Sequence, residues 1–180
     1  MDEFQLQRRI TSRDLLACVE ESMHVATLRY FDRAGPFADA VRAALGAPLP
    51  EPLAARELME GQLILAWRSP TETLCVTRSI TRLAELTAQL AGAADGCIID
   101  LSGAVRIVRL TGLRIADLLC RLGGTASVPG PGEARGSRVA DVAVLALSVR
   151  AGETLLAVDR AYLPHLLAWI RETLLDFEPD

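Results

Sequence analysis

The apolar positions of this chain change period several times, and each change marks an element. Gln62–Arg68 and Thr73–Thr77 are nearly continuous apolar runs around Ser69-Pro70-Thr71-Glu72, which predicts a hairpin with proline in its favoured turn position. A helix capped by Ser79 or Thr81 follows, with Leu83, Leu86 and Leu90 on one face and Gly92 beyond its end. Cys97–Leu101 reads as a buried strand, Ser102-Gly103 as a tight corner and Ala104–Leu110 as a second strand. A helix over 112–122 comes next, with Thr111 as cap, Leu113, Ile115, Leu118, Leu119 and Leu122 as its stripe, and Gly123-Gly124 as its stop. Val139–Val149, the turn Arg150–Glu153 and Thr154–Val158 make another hairpin. Asp159 caps a last helix whose stripe is Leu163, Leu166, Leu167, Ile170, Leu174 and Phe177.

Upstream, His24–Phe31 predicts a strand, and Pro36 opens a helix with Phe37, Val41 and Leu45 on its inner face and Gly46 at its end. Three prolines at the start of Ala47–Gly61 predict a loop, and so does the Pro-Gly-Pro-Gly run within 125–138. Residues 1–24 have no firm period beyond a helical turn or two over Asp14–Glu21 and are read as an N-terminal extension, leaving residues 25–180 as one domain. The two parts of that domain rhyme. The expected class is α+β, a pseudo-duplicated two-part antiparallel sheet with packed helices.

Composition sharpens this picture in three places. Apolar residues are 51% of the 180, and mean hydropathy is +0.26, yet no run reaches the roughly 18 residues of a bilayer span. With a charged N-terminus unlike a signal peptide, a cytoplasmic location is expected, and the surplus apolarity points to a generous core or, as the preferred reading, to a face closed by a partner subunit. The net charge is −4, yet residues 102–138 carry Arg106, Arg109, Arg114, Arg121, Arg135 and Arg138 against Asp117 and Glu133. That basic stretch meets an anionic ligand, an acidic partner or plain solvent. Acidity overall and few aromatics argue against nucleic acid. Cys18, Cys75, Cys97 and Cys120 are scattered, with no zinc spacing, and are expected to be reduced and mostly buried.

Catalytic constellations are thin. Asp100, at a strand end before Ser102-Gly103, caps the corner or holds a ligand's amine, capping being the plainer role. His165 has no acid or nucleophile at helical spacing, and Trp67 and Trp169 read as core or interface aromatics. GPGEARG lacks the lysine and the strand-to-helix setting of a phosphate loop.

LRYFDR (28–33), LGAPLPEP (45–52), ILAWRSPTETLCV (64–76), DLSGAVRIVRLTG (100–112) and VDRAYLPHLLAWI (158–170) resemble, in order and spacing, the gamma subunit of heterotetrameric sarcosine oxidase over residues 25–177. That family is similar to the folate-binding domain of the aminomethyltransferase (T-protein) of the glycine cleavage system. The resemblance implies a non-catalytic subunit beside flavoprotein alpha and beta subunits and a small delta subunit. Such a complex demethylates sarcosine or another N-methyl amine and passes the one-carbon unit to tetrahydrofolate. FAD, FMN, NAD and tetrahydrofolate belong to the whole complex, none to this chain alone; the isolated chain forms a homo-oligomer or stays single. The alternative is a free-standing folate-binding or one-carbon-handling protein, with the arginines attracting folate's glutamate tail. The ligand-binding candidates are Asp100, Arg106, Arg109 and Arg114.

Overall fold

The architecture follows from strands that are apolar on both faces. The computed structural model describes residues 9–177. The first half holds β1 (Arg9–Ser12), β2 (Leu15–Glu20), β3 (His24–Tyr30), α1 (Pro36–Leu45), β4 (Ala55–Leu58), β5 (Leu63–Ser69), β6 (Glu72–Thr77) and α2 (Ile80–Leu90). The second holds β7 (Gly96–Asp100), β8 (Val105–Gly112), α3 (Ile115–Gly123), β9 (Glu133–Val139), β10 (Val142–Ser148), β11 (Glu153–Asp159) and α4 (Leu163–Leu175). They form two antiparallel sheets, one ordered β1-β2-β8-β11-β10-β9 and the other β4-β5-β6-β3-β7.

The duplication is in the strand order. β4-β5-β6-β3 in one sheet repeats as β9-β10-β11-β8 in the other, and each repeat carries two helices. The next strand is exchanged: β7 completes the five-stranded sheet before leading into β8 of the other, while β2 lies beside β8 and leads into β3. Alternate residues serve different cores. On β5, Leu63 and Leu65 pack under α1 and α2, while Ile64 and Ala66 face the other sheet. On β10, Val144 and Ala146 pack under α3 and α4, while Leu145 and Leu147 face back. The result is four layers, helices–sheet–sheet–helices, and strands buried on both sides read as unbroken apolar runs. Among the described residues no helix is long and apolar enough to cross a membrane.

Caps stand where the sequence put them for α1 and α2. Pro36 opens α1 and Gly46 closes it in the left-handed region at φ 68°. The Ser79 hydroxyl accepts the Arg82 amide of α2 at 3.2 Å.

Six expectations are corrected. The helical turn expected over Asp14–Glu21 is strand β2, where Leu15, Ala17 and Val19 alternate into the core under α3 and α4; the described part of the 1–24 extension is thus built into a sheet, and residues 1–8 lie outside the described residues. Part of the 47–61 loop is β4, and the end of the 125–138 loop is β9. These edges join the two sheets: Ala55 N–H donates to the Gly132 carbonyl at 2.7 Å and Ala134 N–H to that of Leu53 at 2.8 Å. The single strand expected over Val139–Val149 is broken by Ala140 and Asp141, both at positive φ (50° and 61°), the geometry of a two-residue hairpin turn that usually recruits Asn or Gly. β7 is an edge strand with Cys97 and Ile99 exposed, not a buried one. Finally, Thr111 and Gly112 belong to β8, Leu113 is 91% exposed, and α3 starts at Ile115 without a side-chain cap.

Candidate cleft at the strand exchange

The two chain crossings between sheets are pinned together, and a cleft opens where they meet. The Ser102 hydroxyl accepts the Val25 amide at 3.1 Å, and Leu101 N–H donates to the Val25 carbonyl at 2.7 Å, so the β7–β8 corner is fastened to the start of β3. Arg160 N–H donates to the Ala104 carbonyl at 2.7 Å, which brings in the 3-10 turn Arg160–Tyr162 that precedes α4. Between these segments lies a cleft of about 510 Å³. Its polar wall is Glu21, His24, Ser102, Arg106 and Arg160. Val19, Met23, Leu163 and Pro164 form the apolar wall.

Asp100 stands behind this cleft as a brace. Its Oδ1 accepts the Ser102 amide at 2.8 Å, the capping role expected of it. Hydrogen bonds from Ser102, aided by the nearby His24, hold its carboxyl below the ordinary value of 3.8. A lowered folded value means stability that is present above the ordinary value and lost as pH falls through the lowered one. Asp100→Asn is therefore expected to cost about 0.5 kcal/mol at neutral pH, small because solvent screens the carboxylate, with the difference from wild type vanishing in acid. Thermal melts of both proteins across the acid range check this.

Arg106 is held by neutral groups. Its Nη1 donates to the carbonyls of Ser102 at 2.5 Å and Val105 at 3.0 Å. The other two arginine candidates lie elsewhere. Arg109 reaches Glu20 at 2.6 Å and also pairs with Glu153 in the space between the sheets. Burial lowers its guanidinium's value, but hydrogen bonds and the charges of Glu20 and Glu153 outweigh burial and leave it raised. Arg114 pairs with Asp117 at 3.1 Å and lies 4.0 Å over the Phe177 ring, which Arg121 also approaches at 4.6 Å. Arg135 pairs with Glu133, and Arg138 donates to the Asp141 carbonyl. The basic stretch 102–138 is thus no single patch: β8, α3 and β9 carry its charges to separate neighbours. His24 and Arg160 escaped the sequence reading because they sit far from Arg106 along the chain and meet it only through the two backbone fasteners.

Other candidates are structural. His165 Nε2 donates to the Ala140 carbonyl at 3.1 Å and its ring meets Trp169 edge-on at 6.4 Å. Trp169 is half-exposed rather than part of the core, and Trp67 is half-buried. All four cysteines are free, but only Cys75 is buried, its thiol pushed up to about 12; Cys97 and Cys120 are exposed and Cys18 lies between, correcting the expectation of buried thiols. No group of His, Cys, Asp or Glu among the described residues is placed to hold a metal ion.

No family model and no curated protein matches the sequence. Solved structures do match the fold. A chain of the heterotetrameric sarcosine oxidase from Corynebacterium sp. U-96, in complex with pyrrole 2-carboxylate, superposes with a TM-score of 0.82 at 18% identity, covering 96% of this chain and 90% of that one. The glycine cleavage system aminomethyltransferase T from Bartonella henselae superposes with a TM-score of 0.63 at 15% identity, covering 86% of this chain and 44% of that one. The chain therefore has the α+β fold of a sarcosine oxidase subunit, shared with part of an aminomethyltransferase.

Proposed function

We propose that this chain is a non-catalytic, gamma-like subunit of a flavin-dependent oxidase of sarcosine or another N-methyl amine, acting in the cytoplasm. The observation that carries the reading is the match in extent: the same fold fills 90% of a chain in a heterotetrameric oxidase but only 44% of a glycine cleavage system aminomethyltransferase. Flavoprotein alpha and beta subunits and a small delta subunit are its partners in this reading. FAD, FMN, NAD and tetrahydrofolate serve the complex as a whole, so that oxidative demethylation and one-carbon transfer occur outside this chain. Exposed Phe31, Leu113, Tyr162, Trp169 and Leu175 supply the large apolar and aromatic side chains that subunit interfaces favour.

Co-purification of the tagged chain from its native cells is the test, with bound proteins identified and flavin absorbance recorded. Large flavoproteins in fixed ratio are expected. A chain that returns alone refutes the subunit reading, and saturable tetrahydrofolate binding by that lone chain would then favour the one-carbon-handling alternative.

A further inference from the structure

The seam between the two sheets has two ends, and the strand repeat makes them counterparts. Glu72-Thr73-Leu74 of β6 recurs as Glu153-Thr154-Leu155 of β11, and Leu74 lies opposite Thr27 just as Leu155 lies opposite Arg109. At the sheet edges, Glu57 opposite Ile64 matches Gly136 opposite Leu145. One end is knitted shut. Arg109 and Arg150 reach Glu20, Glu153 and Glu57 there, and about 200 Å³ stays open. At the other end Thr27 takes the place of Arg109, buried and with no hydrogen-bond partner among the described residues, and Gly136 takes that of Glu57. Where these long charged side chains are replaced by short ones, a groove of about 410 Å³ opens.

The groove is apolar below and polar at its mouth. Buried Leu74, Leu145 and Ala157, with half-buried Val105, form its floor. Gly136 and Ala143 keep one flank low, and a Cβ added at Gly136 would meet nothing within 4 Å. Arg68 and Asp159 bring opposite charges to the exposed mouth. Arg68 stands 3.6 Å from Glu72, beyond hydrogen-bonding reach, and Glu72 sits closer to Arg29 at 2.9 Å. Asp159 spends one carboxylate oxygen on the Ala161 amide. A guanidinium only donates hydrogen bonds and a carboxylate only accepts them, so the pair complements a head that does both and carries no net charge.

We propose that this groove binds a small neutral molecule, its ring or branched chain against Leu74 and Leu145 and an amide-like head held by Arg68 and Asp159. A mostly apolar hollow with a few polar groups to fix orientation is the form of a small-molecule site. The proposal stands apart from the subunit reading, because one chain supplies every lining residue.

The test is a methyl NMR titration of the full chain with benzamide, beside acetamide, which keeps the head and lacks the ring. Benzamide is expected to saturate, to shift the methyls of Leu74, Val105 and Leu145, and to bind at least about tenfold more tightly than acetamide. Gly136→Leu and Ala143→Leu each fill the groove from an exposed position and are expected to weaken benzamide by about tenfold at an unchanged melting temperature. Ala43→Leu, on the exposed side of α1, leaves binding as it was. Arg68→Met, with Glu72 still paired to Arg29, is expected to weaken benzamide by about fivefold. Failure of benzamide to saturate overturns the proposal. So does acetamide binding as tightly, or benzamide binding undiminished in Arg68→Met or in both leucine variants of the groove. These outcomes are read on the isolated chain and leave the co-purification result to judge the subunit reading separately.

Discussion

Gly112→Ala is expected to lower the stability of the fold by about 4 kcal/mol, enough to unfold a marginal domain. Gly112 ends β8 at φ +133°, a region that L side chains rarely adopt. An added Cβ would stand 2.1 Å from the Asp14 carbonyl oxygen, 2.9 Å from its carbon and 3.0 Å from the Leu15 Cα. All three are backbone atoms, so no rotamer change relieves the clash. The β1–β2 turn would have to lift away, and with it the Leu113 amide that donates to the Asp14 carbonyl at 3.1 Å. Gly112 N–H also donates to the Gly152 carbonyl at 3.1 Å, so the same shift disturbs the β10–β11 turn. Urea unfolding followed by circular dichroism measures the loss. Gly136→Ala on edge strand β9, where an added Cβ meets nothing within 4 Å, is the control and is expected to stay within about 0.5 kcal/mol of wild type. A Gly112→Ala protein as stable as that control would mean that β2 does not lie against β8 in the register described.

What could be read in the sequence was what local pattern determines. β5, β6, β10 and β11 announce themselves because both faces are buried, and α1, α2 and α4 because their leucines and aromatics recur at helical spacing. β9 hides because EARGSRV has little β-branched content; its strand state comes from pairing with β10, with Glu133 opposite Ser148 and Val139 opposite Val142. The turn between them hides because Ala140-Asp141 lacks the glycine that marks such turns. β2 is ambiguous at its length, since LLACVE fits one helical turn as well as a short strand, and only its register with β8 decides. The site divides the same way. Asp100 as a local cap was legible because cap and amide lie two residues apart. Arg109 and Arg114 looked like neighbours of Arg106, but a strand sends alternate residues to opposite faces and the helix after it turns away.

Arg109→Met is expected to destabilise the protein by about 3 kcal/mol, because it strands Glu153 and leaves Glu20 with Arg78 alone, where water screens the acids little. Arg109 lies on the face of β8 that looks toward the five-stranded sheet, opposite Cys18 of β2 and Leu155 of β11. Glu20 stands two residues along β2 and Glu153 two along β11, so one guanidinium ties three adjacent strands on a diagonal. The three side chains are only 18%, 15% and 16% exposed. The network continues to the other sheet through Arg78, 3.2 Å from Glu20, and is echoed by Arg150, 2.9 Å from Glu57. Methionine keeps the stem's volume and removes the charged head with its hydrogen bonds, which separates the polar contribution from stem packing. Neutralising the acids in the same protein, with Glu20→Gln and Glu153→Gln, is expected to restore at least half of the loss, since the cost lies in the unpaired carboxylates rather than in the missing attraction. Arg42→Met, which breaks the exposed pair with Asp39, serves as the contrast and is expected to change stability by no more than about 0.5 kcal/mol. If Arg109→Met costs as little as Arg42→Met, or if the double neutralisation adds its own penalty instead of recovering stability, the space between the sheets is wet enough to screen the pair. The seam is then held by its apolar core alone.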